Sequence, residues 1–136
     1  MSRTASIEIF YNNNIDFVCF IDKLISSEWS CNDYGKIRYI IGEDFEWESD
    51  ILENFKDVIN KMEAEYFKDK IVAINFLYKN SIGGNFIFFN RNEVVLNLNI
   101  NRKTLINGVN TDFSFYIKAL NNILTTDCYI NCIEIP

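Results

Sequence analysis

Ile71-Val-Ala-Ile-Asn-Phe-Leu-Tyr78, then Asn80-Ser-Ile-Gly-Gly84, Asn85-Phe-Ile-Phe-Phe89, Asn90-Arg-Asn-Glu93 and Val94-Val-Leu-Asn-Leu-Asn-Ile100, is the stretch whose reading decides the fold. The first segment is apolar on both sides, as a central strand must be. Asn80 to Gly84 has the composition of a hairpin loop, and Asn90 to Glu93 that of a second turn. In the third segment Val94, Leu96, Leu98 and Ile100 point one way and Val95, Asn97 and Asn99 the other, because side chains alternate along a strand. The stretch therefore predicts a three-stranded antiparallel meander over about 71–100.

Working outward, Ile7, Ile9 and Tyr11 alternate with Glu8 and Phe10, predicting a strand that Asn12-Asn-Asn14 stops. Asn14 can cap a helix whose apolar stripe is Phe17, Phe20, Ile21, Leu24 and Ile25. Asn32-Asp-Tyr-Gly35 is a turn cluster leading to a second strand at Ile37, Tyr39 and Ile41, broken by Gly42. From Asp50 the period becomes helical, with Ile51, Leu52, Phe55, Val58, Ile59, Met62 and Tyr66 in one stripe. Ser49 or Asp50 can cap that helix, and Asp50 with Glu53 has the spacing of a capping box. Thr111 or Asp112 opens a third helix carrying Phe113, Tyr116, Ile117, Leu120 and Leu124, and Tyr129 to Ile135 forms a last strand. The order β-α-β-α-β-β-β-α-β implies an α+β class, a largely antiparallel sheet with about three helices on it. With 136 residues and no Pro- or Gly/Ser-rich linker, residues 1–136 read as a single domain.

Composition narrows the chemistry. Hydrophobic residues make up 49% and aromatics 15%, enough to offset chain entropy by burial, which excludes a disordered chain. Thirteen Lys and Arg against 19 Asp and Glu give a net charge of −6. That balance argues against a nucleic-acid partner, whose phosphates are met by Lys and Arg. No apolar run reaches the ~20 residues of a membrane span, and Glu8 interrupts the first apolar stretch before a signal core forms. A cytoplasmic location is expected, with no membrane partner. Cys19, Cys31, Cys128 and Cys132 read as reduced, mostly buried thiols, because a chain of this size and apolar content needs no disulfides. A zinc site would take all four at odd spacings, so no metal and no cofactor is expected.

There is no His, which removes Ser-His-Asp and Cys-His schemes and the usual general base near neutral pH. Phosphate-binding and nucleophile-elbow motifs are absent, and Gly83-Gly84 has neither a following Lys nor a helix. Asp16 with Asp22, or Glu48 with Glu53, could in principle serve as a carboxylate pair, but carboxylates are ordinarily solvent-facing. The chain is not expected to be an enzyme.

One segment departs from background. Residues 43–53 hold six acids (Glu43, Asp44, Glu46, Glu48, Asp50, Glu53) and no Lys or Arg, and the remaining chain carries 13 of each sign. If 43–48 is extended, Asp44, Glu46 and Glu48 form a row of charges about 6.6 Å apart, with Phe45 and Trp47 projecting the other way. Such a row would fit the basic groove of a nuclease, speed association, and offer Trp47 as an anchor. The candidate partner-binding residues are therefore Glu43, Asp44, Glu46, Trp47, Glu48 and Asp50. Against this, helix capping accounts for Asp50 and Glu53, Phe45 and Trp47 suit a core, and an acidic loop is often only a solvated one. A second candidate surface is the amide-rich face of the meander, Asn97, Asn99 and Asn101 with Asn75, plus Asn90 and Asn92, although that is also how the solvent side of a sheet reads.

In size, acidity, lack of His and element order, with the aromatic-interleaved Glu43–Glu53 segment and the 71–100 meander, the chain resembles the immunity proteins that neutralise bacterial polymorphic toxins, including those of contact-dependent growth inhibition. The resemblance implies a cytoplasmic protein that binds the C-terminal domain of a cognate toxin, often a basic nuclease, by non-covalent occlusion. The other reading of the same residues is a structural or adaptor protein that self-associates through its sheet.

Overall fold

In the computed structural model, which describes residues 3–42 and 44–136, one mixed-length antiparallel sheet carries the chain. The meander forms its middle: β5 (Val72–Tyr78), β6 (Ile82–Asn90) and β7 (Glu93–Ile100). Here β1 is Thr4–Tyr11, β2 Trp29–Ser30, β3 Lys36–Ile40, β4 Glu48–Ile51 and β8 Cys128–Ile135. The order across the sheet is β4-β3-β5-β6-β7-β1-β8, with β2 also paired to β5. β3 meets β5 at Ile74 and Ala73 and β2 meets it at Tyr78 and Leu77, so two short strands share the side of β5 that β6 leaves open. The helices are α1 (Phe17–Ser26), α2 (Phe55–Phe67) and α3 (Phe113–Ala119). The fold is α+β, as the hydrophobic periods predict.

The hairpin turn differs from its sequence reading. Lys79 and Asn80 both adopt left-handed backbone, φ 51° and 59°, and Ser81 N–H donates to the Tyr78 carbonyl at 3.1 Å, so the turn is a tight three-residue one, 79–81, between paired Tyr78 and Ile82, and sits ahead of the glycines. Gly83 and Gly84 lie inside β6 instead. A Cβ on Gly83 would stand 2.0 Å from the Phe76 carbonyl oxygen, and one on Gly84 1.6 Å from that of Asn97. The glycines are there because neighbouring backbone approaches too closely for any side chain, at a bulge where the β6–β7 register shifts.

The core lies between the helices and one face of the sheet. Alternate residues Ile7 and Ile9, Ile74 and Phe76, Phe86 and Phe88, and Val94, Leu96 and Leu98 meet Phe17, Phe20, Ile21 and Leu24 of α1, Val58, Met62 and Tyr66 of α2, and Tyr116 and Ala119 of α3. Its centre is aromatic: Phe88 contacts Phe17, Phe20 and Tyr66, and Phe86 contacts Phe20, Trp29 and Phe76, mostly edge to face. Such pairs add about 0.5–1.5 kcal/mol each beyond area burial. The polar tips are satisfied: Tyr66 Oη donates to the Ile15 carbonyl at 2.9 Å and Trp29 Nε1 to that of Ala119 at 2.9 Å. The Trp29 bond is what ties β2 to the end of α3.

Helix starts correct the sequence reading in two places. Asp16, two residues beyond Asn14, caps α1 by accepting from Cys19 N at 3.0 Å. α2 begins at Phe55, because residues 48–51 pair with β3 (Lys36 with Ile51, Arg38 with Ser49) and a single 3-10 turn, Leu52–Asn54, intervenes. Tertiary pairing overrides the local helical period there, so neither Ser49 nor Asp50 is a helix cap. Asp112 caps α3 as expected, accepting from Phe115 N at 3.2 Å. The cysteines are all free thiols, yet only Cys31 is buried; Cys19 and Cys132 are exposed and Cys128 is intermediate. No helix among the described residues is long and apolar enough to cross a membrane.

Candidate functional site: an acidic sheet edge

Arg38 and Tyr39 in β3 pair with Ser49 and Glu48, which makes β4 the terminal strand on this side of the sheet. Cross-strand partners share a face. Glu48 and Asp50 therefore project on the side of buried Tyr39 and Ile37, and Ser49 and Ile51 on the other. Burial pushes the Tyr39 hydroxyl up, and the carboxylates of Glu48 and Asp50 raise it further, as their shared face requires.

Before β4 the chain turns. Asp44 Oδ1 accepts from Glu46 N at 3.2 Å, Phe45 N donates to the Gly42 carbonyl at 3.5 Å, and Phe45 has φ 57°. The expected row Asp44, Glu46, Glu48 is thus interrupted, and the extended pair is Glu48 and Asp50. Glu43 lies outside the described residues. Phe45 and Trp47 are not core: they are 47% and 46% exposed. Phe45 lines a hollow of about 250 Å³ with Gly42, Asp69, Lys70 and Ile71. Ile51, also half-exposed, extends the apolar side of the edge.

The described acids of the segment, Asp44, Glu46, Glu48, Asp50 and Glu53, have no ion-pair partner among the described residues. Elsewhere charges are paired, as in Arg38–Asp33 at 3.1 Å, Arg91–Asp69 at 3.2 Å and Lys79–Glu28 at 3.6 Å. Asp50 is nonetheless fixed. Its Oδ1 accepts from Asn54 Nδ2 at 2.8 Å and Ile51 N at 2.7 Å, which hold its carboxyl below the usual range, with smaller contributions from Lys61 and Lys36. Asn54 is a residue that sequence reasoning missed, because its role appears only once residues 52–54 form a turn.

The amide face is organised within itself. Asn99 Nδ2 donates to Asn85 Oδ1 at 2.7 Å, Asn85 Nδ2 to Asn75 Oδ1, and Asn75 Nδ2 to Asp33 Oδ2 at 3.4 Å. This ladder joins β5, β6 and β7 and ends on Asp33, the carboxylate paired with Arg38. Asn90, Asn92 and Asn101 instead fix turns: Asn90 Oδ1 accepts from Asn92 N, Asn92 Nδ2 donates to the Tyr11 carbonyl, and Asn101 Nδ2 donates to that of Ser81. The face is a structural network more than an array of vacant amides.

A cavity of about 780 Å³ is an open groove lined by Ile25, Trp29, Cys31, Leu52, Phe55 and Lys79 among others. Burial raises the Cys31 thiol to about 11, so it stays protonated at neutral pH and is a poor nucleophile. Among the described residues no three His, Cys, Asp or Glu side chains are grouped to hold a metal ion. The acidic edge brings together concentrated negative charge and half-exposed aromatic surface.

No family model, curated protein or solved structure matches the chain. Fold and site define it as an antiparallel α+β domain with one short, acidic sheet edge.

Proposed function

We propose that the protein is an immunity-type inhibitor that binds a cognate toxin domain, a basic nuclease, by non-covalent occlusion. Contact is made through the β4 edge, with Asp44, Glu46, Glu48 and Asp50 meeting Lys and Arg and Trp47 supplying the apolar anchor; Glu43 belongs to the same acidic run. The observation that carries this reading is the run of six acids that accounts for the whole net charge, of which the five described ones, Asp44, Glu46, Glu48, Asp50 and Glu53, have no ion-pair partner among the described residues and lie next to two half-exposed aromatic rings. Unneutralised charge at an edge steers a basic partner, and an exposed Trp is the residue type that most often dominates binding energy. A cytoplasmic location goes with this function.

The test begins with the reading frame immediately upstream of the gene. Its C-terminal domain is expressed with and without this chain, and growth and a copurifying complex are scored. Rescue with a stable complex is the expected result. In that complex Glu46→Lys/Glu48→Lys is expected to slow association by about 10- to 100-fold at low salt while leaving the fold intact. A harmless neighbour overturns the toxin partner, and an association rate unmoved by the double change removes β4 from the interface.

A further inference from the structure

At the other end of the sheet, β8 pairs with β1 along its whole length, Thr4 with Ile135 through Tyr11 with Cys128, and among the described residues nothing pairs with its outer side. The hydrogen-bonding phase fixes which groups are free. Tyr11 N–H donates toward the β7 side, to the Asn92 carbonyl at 2.8 Å, and Asn12 N–H toward the β8 side, to that of Asp127 at 3.0 Å. Backbone groups alternate sides along a strand. Phe10, Glu8, Ser6 and Thr4 therefore bond Tyr129, Asn131, Ile133 and Ile135, while Ile130, Cys132 and Glu134 point N–H and C=O outward. An eight-residue strand with such an edge is a template for another strand, and the usual protections are missing: there is no Lys, no Pro and no register shift between Cys128 and Ile135.

We infer that β8 is the dimerisation strand of this protein, pairing antiparallel with β8 of a second copy. Three observations select a second copy as the occupant. First, a two-fold axis normal to the sheet keeps faces matched, and centring it on Asn131 overlaps nearly the full strand. Ile130 then faces Cys132 of the other copy through the outward-pointing groups, and Tyr129, 60% exposed, faces Ile133, an aromatic and β-branched pairing that sheets favour. Second, no like charges are opposed. Glu134 is the one charged residue in β8; in this register it faces Cys128, and it is already held by the Thr111 N–H at 2.6 Å and by Arg3 and Arg102 at 3.8 Å each. Third, the acidic cluster that carries the net charge lies at the β4 edge, six strand spacings or about 29 Å away, well beyond the roughly 8–10 Å over which exposed charges are felt, which leaves Asp127, just before β8, as the exposed acid nearest the axis after Glu8. The dimer leaves both acidic edges free at the far ends of one continuous sheet, so this surface is separate from the one assigned to a toxin.

Sedimentation of the full chain under reducing conditions, from about 1 to about 100 μM, reads the dimer directly. Two variants probe the strand. Cys132→Pro deletes an outward N–H on an exposed residue without touching the ladder to β1. Asn131→Lys places like charges opposite each other across the axis, yet within one copy it gains an opposite charge nearby, since Asn131 lies 3.5 Å from Glu8 Oε1. The expected result is a wild-type dimer whose dissociation constant rises at least ~10-fold in each variant that retains the native circular dichroism. A wild-type chain that stays monomeric throughout, including one whose β8 is taken up only by a foreign strand, overturns the inference. So does a dimer that both folded variants leave unchanged.

Discussion

β4 offers four residues at one side of the sheet, two of them acids whose carboxylates find no ion-pair partner among the described residues, whereas β8 offers eight residues at the other with a single acid clamped by Arg3 and Arg102. Both are terminal strands with unused backbone groups, so hydrogen-bonding capacity alone does not distinguish them. Length and charge do. A short edge crowded with carboxylates resists strand addition and attracts basic surface, while a long, nearly neutral edge favours pairing. The same sheet thus ends in two kinds of edge, one distinguished by its charge and one by its free backbone groups.

The most severe way to break the comparison is to remove what both edges hang from. Gly84→Ala puts a methyl group into the Asn97 carbonyl, 1.6 Å away, inside the β6–β7 pairing. We expect a loss of more than about 4 kcal/mol or failure to fold, read by urea denaturation. A near-neutral Gly84→Ala would mean that the β6 bulge can shift freely and that the two edges are not held in one rigid frame.

A milder change sets the exposed aromatics of the two edges against each other. Tyr129 stacks on Phe10 with centroids 4.9 Å apart and planes 15° from parallel, so its exposed ring still fastens β8 to β1. Trp47 has no ring contact among the described residues. Tyr129→Ala should cost about 0.5–1.5 kcal/mol of stability, and Trp47→Ala less than about 0.5 kcal/mol. In the complex with the toxin the ranking should invert, with Trp47→Ala the more damaging. If Trp47→Ala is the more destabilising to the free protein, that ring is packing and not a docking anchor.

How far the sequence carries depends on how many residues an element has to declare itself. The meander, the α1 stripe and the Asp112 cap are readable because seven or more residues repeat one period or a cap precedes a clear stripe. β2 and β4 are not, since strands of two and four residues exist only through pairing with β5 and β3. Gly83-Gly84 reads as a loop because glycine ordinarily punctuates; the reason for these two, neighbouring carbonyls from β5 and β7, lies across the sheet and far along the chain. At the site, the clustering of acids is visible in composition. Its shape is not, because the left-handed backbone at Phe45, a bulky residue, has no local signature. The β8 edge is a property of strand order, which several arrangements with the same periodicities would have placed elsewhere.

Acid titration gives the smallest effect and the closest comparison, because each edge holds one tethered carboxylate. The Asn54 amide and the Ile51 N–H keep Asp50 below its ordinary value of 3.8, and the Thr111 backbone and side chain, aided by Asn110 and Arg3, keep Glu134 below 4.5. A depressed folded-state value means that the unfolded chain takes up the proton first. The stabilisation is therefore fully present above the ordinary value and is lost as pH falls through the lower, folded one. Urea midpoints measured from pH 7 down to pH 3 should show Glu134→Gln and Asp50→Asn less stable than wild type at pH 7. Each gap should begin to close below about pH 4.5 for Glu134 and below about pH 3.8 for Asp50. Glu134, with two arginines and a buried threonine around it, should give the wider gap at neutral pH than Asp50, which has no ion-pair partner among the described residues. A gap that persists unchanged to pH 3 would mean that the residue acts through shape rather than charge. A wider gap at Asp50 would make the acidic edge, not β8, the more tightly built end of the sheet.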